Sequence, residues 1–381
     1  MSTWPSASLA SAIQCRKEFI QIDDLSNYKR CRVQLHAQGI VLRDTVPGAE
    51  IKTKKQQVCK VGDFLVAEID AKVGGFGVVP EELDQAIVSS HYFLFEVNEK
   101  VLNRRFLDFF IRTPAFREQV AAQGSTNYAA IRPNDVLGYK LPLPPLAEQR
   151  RIVARIESLS AKIEEARRLQ KEVIVGLDNL CRSMIFNESF ASSTKTPMRD
   201  LVRLREPDVV VRSEELYSFA GVYCFGGGVF KGQQKSGMEF AYPRLTQLKT
   251  ANFVYPKLMA WEGALGIVPA DCDGLVVSTE FPVFEVDESR VYPEILDVYF
   301  RTPSVWPALA GVSTGTNVRR RRLNPSDFLN YQMPLPPLPV QQKLRQVKGR
   351  ADSLKKLQAE TAAELAALLP SILDKAFKGE L

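Results

Sequence analysis

Four consecutive arginines close the segment Thr314-Gly315-Thr316-Asn317-Val318-Arg319-Arg320-Arg321-Arg322. Adjacent guanidinium groups repel one another unless an anion lies between them, and Thr and Asn are side chains that reach base edges. The run therefore has the chemistry of a loop that meets phosphates and bases. A solvated polar loop is the alternative. The segment Gly124-Ser125-Thr126-Asn127-Tyr128, with Arg132 close behind, is its counterpart in the first half of the chain. Further cations that could meet phosphate are Lys52, Lys54, Lys55 and Lys72 in the first half and Lys231, Lys235, Arg244 and Lys257 in the second. For any one of these lysines a solvated surface fits as well as a contact, and for Trp261, which aligns with Lys72, a core position fits as well.

Little else in the chain could do covalent or metal chemistry. His36 and His91 lie in different segments and lack partners, which favours structural roles. The six cysteines form no Cys-x-x-Cys pair, so no zinc site, and no disulfide framework, is expected. No phosphate-binding Gly-x-x-x-x-Gly-Lys-Ser/Thr loop is present. Phe225-Gly226-Gly227-Gly228 would suit the glycine-rich cofactor loop of an adenine methyltransferase, but a strand-to-helix context with a downstream acidic residue is missing, and so is Asn-Pro-Pro-Tyr. We expect no catalytic residue, no metal site and no cofactor bound by this chain. Fifty Lys and Arg against 44 Asp and Glu leave a net charge of +6, which matters only where it is concentrated. Met1 to Ala12 has no basic stretch followed by an apolar core, and no apolar run approaches the roughly 18 residues of a membrane span. A cytoplasmic protein is expected.

The elements that must carry the two loops are written twice. Ile111-Arg112-Thr113-Pro114 returns 189 residues later as Phe300-Arg301-Thr302-Pro303, and the same shift aligns Tyr28 with Tyr217, Gly39 with Gly228, Phe64 with Phe253, Gly77 with Gly266, Pro80 with Pro269 and Ser89 with Ser278. Beyond the loop the shift is 192, pairing Pro133 with Pro325, Asp135 with Asp327, Tyr139 with Tyr331 and Pro142 with Pro334. A repeat this long predicts two similar domains, not a solenoid. In each copy short apolar runs with glycine turns, such as Val58 to Ile69 and Leu275 to Val286, read as strands, and Arg104 to Gln123 and Pro293 to Gly311 read as helix.

Each copy ends in a proline strut, Leu141 to Leu146 and Met333 to Leu338, after which a helix can begin. In the first helix Ile152, Ile156, Leu159, Ile163, Ala166, Gln170, Val173, Leu177, Leu180 and Met184 follow alternating steps of four and three. In the second the seam runs Leu344, Val347, Ala351, Leu354, Gln358, Thr361, Leu365, Leu368 and Ile372, with Pro370 expected to kink the helix near its end. Such stepping is the seam of a coiled coil. Each helix of about 38 residues spans roughly 57 Å. The fold class expected is α+β, two similar domains of mixed strands and short helices separated by two long antiparallel coiled-coil helices with pseudo-two-fold symmetry. The boundaries expected are 1–140, 141–187, 188–332 and 333–381.

The segment Leu-Pro-Leu-Pro-Pro-Leu-Ala-Glu-Gln-Arg-Arg-Ile-Val, Leu141 to Val153, followed by a long amphipathic helix, resembles the conserved region of type I restriction-modification specificity subunits. Those subunits carry it twice, each time after a target-recognition domain. In the second copy Glu148 and Arg150 are replaced by Val340 and Gln342, while Gln341 matches Gln149. The resemblance implies that each recognition domain reads one half of a bipartite, asymmetric target in double-stranded DNA. It also implies that the helices set the spacing and dock two methyltransferase subunits, and that a motor-nuclease subunit joins for cleavage. S-adenosylmethionine, ATP and Mg would sit on those partners, and Glu148, Gln149, Arg150, Arg151, Gln341 and Gln342 would face them. The rival readings are a coiled-coil assembly scaffold and a DNA methyltransferase in its own right. Replacing Arg319 to Arg322 with alanine is expected to weaken DNA binding and to flatten its salt dependence by about 0.9 in log–log slope for each phosphate no longer neutralised, read from binding isotherms at several salt concentrations.

Overall fold

The computed structural model of the protein describes residues 4–121, 130–186, 195–314 and 321–381. The chain forms two compact units, Met1–Arg168 with Thr361–Leu381, and Leu169–Glu360. In the first unit a five-stranded sheet is ordered Phe19–Gln21, Lys55–Val58, Ile87–Val88, Asn27–Val33, Ile40–Pro47. A four-stranded sheet runs Ile13–Arg16, Tyr92–Val97, Phe64–Ala67, Phe76–Val78, and Ser6–Ser8 pairs with Lys140–Pro142. The second unit repeats all three: Val209–Val210, Arg244–Gln247, Val276–Ser278, Leu216–Tyr223, Gly228–Ser236; then Val202–Leu204, Val283–Val286, Phe253–Val254, Gly266–Ile267; then Lys195–Pro197 with Gln332–Pro334. Even the single parallel pairing recurs, Arg30 with Ile87 and Phe219 with Val276, at the shift of 189 read from the sequence.

The repeated landmarks have backbone reasons. Gly39 and Gly228 end the hairpin turns with φ of +95° and +81°, a conformation open to glycine. A Cβ on Gly77 would lie 3.1 Å from the Gly39 Cα, and one on Gly266 would lie 3.4 Å from the Gly228 Cα, so in each pair the first glycine serves the turn and the second the close strand approach. Each expected helix, Arg104 to Gln123 and Pro293 to Gly311, is broken in two at its Arg-Thr-Pro. Helices span Arg104–Phe110 and Pro114–Ala121 in the first unit, and Pro293–Phe300 and Trp306–Val312 in the second. The residue before a proline is pushed out of the α region, and the freed carbonyls of Phe110 and Val298 accept the Thr113 and Thr302 hydroxyls at 2.7 Å.

The long helices run Leu146–Ile185 and Leu338–Lys378, 40 and 41 residues and so about 60 Å each. The second continues past Pro370. Each unit contains the start of one long helix and the end of the other. In the first unit they run antiparallel, Arg151 donating to the Leu381 carbonyl and Arg167 to that of Leu365. In the second, Lys355 meets Asp178 at 3.0 Å and Gln358 donates to the Gln170 carbonyl, so two of the three polar positions expected in the seams meet each other.

Two expectations are corrected here. The boundary drawn at 333 separates a final helix from both domains, whereas Leu373, Ala376 and Phe377 belong to the core of the first unit together with Ile152, Val153 and Ile156. The apolar seam also slips by one residue along the first helix. Val173 and Leu180 are 48% and 47% exposed, while Cys181 and Ile185 are buried. Leu368 of the second helix is likewise exposed and Leu373 buried. An α-helix with 3.6 residues per turn drifts about 20° per heptad from a 3.5-residue repeat, so a strict four-three count leaves the packed face after a few heptads.

Phe377 packs edge-on against Phe106 and Phe110, with ring centroids 4.9 and 5.1 Å away. Phe377→Ala is expected to cost about 3 to 5 kcal/mol by removing a buried ring from a core that cannot collapse around it. Chemical denaturation of the full chain checks this, and a destabilisation below about 1 kcal/mol would show that the helix end does not belong to that core.

Candidate nucleic-acid interface

Each proline strut leaves carbonyls without helical partners, and one buried amide collects them. Gln149 is 0% exposed; its Oε1 accepts the Asn103 N–H at 2.8 Å and its Nε2 donates to the carbonyls of Val101 and Pro144 at 2.9 and 2.8 Å. Gln341, 1% exposed, does the same with the Tyr292 N–H and the carbonyls of Arg290 and Pro336. Both glutamines were expected to face a partner subunit. They are corrected to internal clamps, because both N–H donors and the carbonyl oxygen of each amide are engaged inside the unit. Glu148, Arg150, Arg151 and Gln342 do lie toward solvent, and Arg151 pairs with Glu148 at 2.8 Å, which holds the Glu148 carboxyl below the ordinary carboxylate range.

Of the residues expected to meet DNA, Ser125, Thr126, Asn127, Tyr128, Thr316, Asn317, Arg319 and Arg320 lie outside the described residues. The feet of the two loops are described, and their backbones are the same. Glu68 N donates to the His91 carbonyl and Ile131 N to that of Glu68, at 2.9 and 3.0 Å; Lys257 N donates to the Glu280 carbonyl and Leu323 N to that of Lys257, both at 2.9 Å. At the first foot Glu68 accepts from Arg132 at 2.8 Å and lies 3.0 Å from the His91 ring. At the second Glu280 pairs with Arg322 and lies 4.0 Å from Lys257. Thr314 and Arg322 close that loop with an antiparallel bridge of 2.9 and 2.8 Å, and Arg321, half-buried, stands beside it.

The remaining cations divide by the work they already do. Lys54 is bound to Asp24 and to the Gly48 carbonyl, and Lys55 lies over the Phe19 ring at 4.8 Å. Lys72 is half-buried on the short turn Asp70–Val73, where its counterpart Trp261 donates to the Leu258 carbonyl at 2.9 Å. Arg244 reaches the Pro207 carbonyl at 3.4 Å. Lys231 and Lys235 are exposed on the edge strand Gly228–Ser236 with Gln233 and Gln234, which sequence reasoning did not single out. Lys52 borders a groove of about 370 Å³ lined also by Arg30, Arg32, Arg43, Gln56 and Tyr92. Those three arginines were missed too, although a spacing of two on a strand places Arg30 and Arg32 on one face. Arg30 is held by both carboxylate oxygens of Asp44 at 2.7 Å, and Arg32 makes no ion pair among the described residues. A two-stranded ribbon with amide and cationic side chains has the width and donors to enter a DNA major groove. Among the described residues no group of three His, Cys, Asp or Glu is placed to hold a metal ion, and no helix is long and apolar enough to cross a membrane.

Comparison with known proteins matches residues 16–173 to the family model for the type I restriction modification DNA specificity domain. Residues 16–173 carry a type I restriction modification DNA specificity domain. It is 22% identical over 365 residues to the type I restriction enzyme EcoBI specificity subunit of Escherichia coli, a match covering 81% of this chain and 75% of that protein. Its fold matches the HsdS subunit from Thermoanaerobacter tengcongensis with a TM-score of 0.60, at 22% identity over 99% of this chain and 97% of that one. A second solved chain, from work on complex assembly and conformational transition of the type I R-M system, matches at 0.66, with 22% identity and 99% and 98% coverage. The family model and the relative agree with the resemblance read from the proline strut, and the two solved structures share the fold.

Removing the clamp tests its structural assignment. Gln149→Ala strands one buried N–H and two carbonyls and is expected to lower stability by about 3 kcal/mol. Arg150→Ala, one residue away but exposed, is expected to change it by less than about 0.5 kcal/mol. Equal effects of the two in urea titrations would return Gln149 to the surface.

Proposed function

We propose that this chain is the non-catalytic, sequence-reading subunit of a type I restriction-modification complex. Each unit reads one half of a bipartite, asymmetric target in double-stranded DNA. The long helices set the spacing between the halves and dock two methyltransferase subunits through exposed residues such as Glu148, Arg150, Arg151 and Gln342. Those partners carry S-adenosylmethionine and the methyl-transfer chemistry, and a motor-nuclease subunit with ATP and Mg joins for cleavage, all in the cytoplasm.

The supporting observation is that two units share one topology, strand for strand, and the same main-chain hydrogen bonds at the loop feet, while their solvent-facing side chains differ. A scaffold needs only the helices, and a methyltransferase needs a cofactor loop; neither calls for two equal frames with unequal surfaces. The exposed ribbons and loop feet carry the cations and amides that phosphate and base edges require.

The test is the modified sequence itself. In a host that carries the chain with its methyltransferase partner, genome-wide detection of methylated bases is expected to give one motif of two short blocks separated by a fixed gap. Exchanging residues 195–332 for the equivalent segment of a relative is expected to change one block and leave the other. A change in both blocks, or methylation that persists without the chain, would overturn the reading.

A further inference from the structure

The two loop feet share a backbone but not a sequence. Glu68 and Lys257 occupy the same position, as do His91 and Glu280, both pairs at the shift of 189. The carboxylate has therefore moved from the turn after one strand to the turn before its neighbour, and a basic residue has taken the place it left. What survives this exchange is the composition of the cluster: one carboxylate within 4.0 Å of two basic side chains, His91 and Arg132 around Glu68, and Lys257 and Arg322 around Glu280, with Lys257 also donating to the Thr279 carbonyl at 2.8 Å. An ordinary surface ion pair contributes little, about 0 to 1 kcal/mol. Stability alone gives no reason to keep a second basic group at both sites.

We infer that each cluster is a clamp for a DNA backbone phosphate, in which the carboxylate holds two donors at the foot of the recognition loop until a phosphate replaces it. This rests on the DNA-reading function above and adds the residues His91, Glu68 and Glu280 to it. Two basic side chains converging on one acid oxygen pair already have the spacing that two phosphate oxygens require, so the anion enters a preformed fork. The clamp takes any sequence, because a phosphate is the same beside every base. It therefore anchors each loop at a fixed height on the duplex, and the side chains beyond it read bases.

The carboxylate separates this role from a structural one. Using the full chain and a random-sequence duplex, Arg322→Ala is expected to weaken binding and to lower the slope of log K against log salt by about 0.9, the value for one phosphate contact. Arg322→Lys is expected to keep the slope. Glu280→Gln, which removes the competitor while leaving both cations, is expected to bind as tightly as the parent or more tightly, and Glu68→Gln likewise. If Glu280→Gln weakens binding as Arg322→Ala does, the ion pair only braces the loop and the clamp is wrong. If the parent chain binds but the slope is unchanged in Arg322→Ala, the clamp alone falls. If the parent retains no duplex even at low salt with its methyltransferase partner present, the DNA reading falls with it.

Discussion

A buried glutamine amide holds each long helix to the unit that precedes it, and the rest of the arrangement depends on that. A proline-rich strut supplies stiffness but few donors, so its carbonyls, and the backbone at the start of the neighbouring helix, would be buried unpaired. Gln149 and Gln341 meet that need with both faces of one side-chain amide, joining strut, helix and the loops at Val101 to Asn103 and at Arg290 to Tyr292. Three hydrogen bonds fix each helix at its first turn to the unit in which it begins. The strut before it, paired with Ser6–Ser8 or with Lys195–Pro197, is fixed as well.

The same sharing appears at the other ends of the helices. The first unit's core is incomplete without Leu373, Ala376 and Phe377, which arrive from the end of the chain, and the second unit's core takes Cys181 and Ile185 from the end of the first helix. Each core therefore contains the beginning of one helix and the end of the other. The first unit is made of two stretches of sequence, Met1–Arg168 and Thr361–Leu381, so it cannot finish folding until the last helix exists. Long-range closure of this kind slows folding, since its entropy must be overcome before the contacts form.

How much of this was legible in the sequence follows from what each residue does. The repeat was plain because its landmarks are backbone requirements: left-handed turns at Gly39 and Gly228, close approach at Gly77 and Gly266, helix breaks at the two Thr-Pro pairs. Such positions admit few substitutes and so remain readable. The strut and the existence of two long helices were equally plain, since proline placement and helical periodicity are local. The seam past Ala166 was misplaced because counting by four and three imposes a supercoil that the helix need not follow. The clamp at Gln149 was misread because a polar residue between Glu and Arg looks solvent-facing, and Gln341 was misread with it as its match; only the distance to Val101 and Asn103 reveals otherwise. The arginines at 30, 32 and 43 were missed because they are not adjacent in sequence, and a strand pairing brings Arg30 to Asp44.

On the proposed reading, in which each unit meets its own half-site, the loop feet show why duplication suits the task. Main-chain hydrogen bonds carry no information about side chains, so a frame made of them can be copied and then altered freely at its surface. Between the two copies the cluster at the loop foot kept its composition while exchanging the residues that provide it, which is the freedom a backbone-determined frame allows. Electrostatics sets the limit on that freedom. A third cation without the carboxylate would repel its neighbours in the absence of DNA, and a second carboxylate would repel the phosphates in its presence. One acid between two basic groups satisfies both states and leaves the side chains around it free to vary.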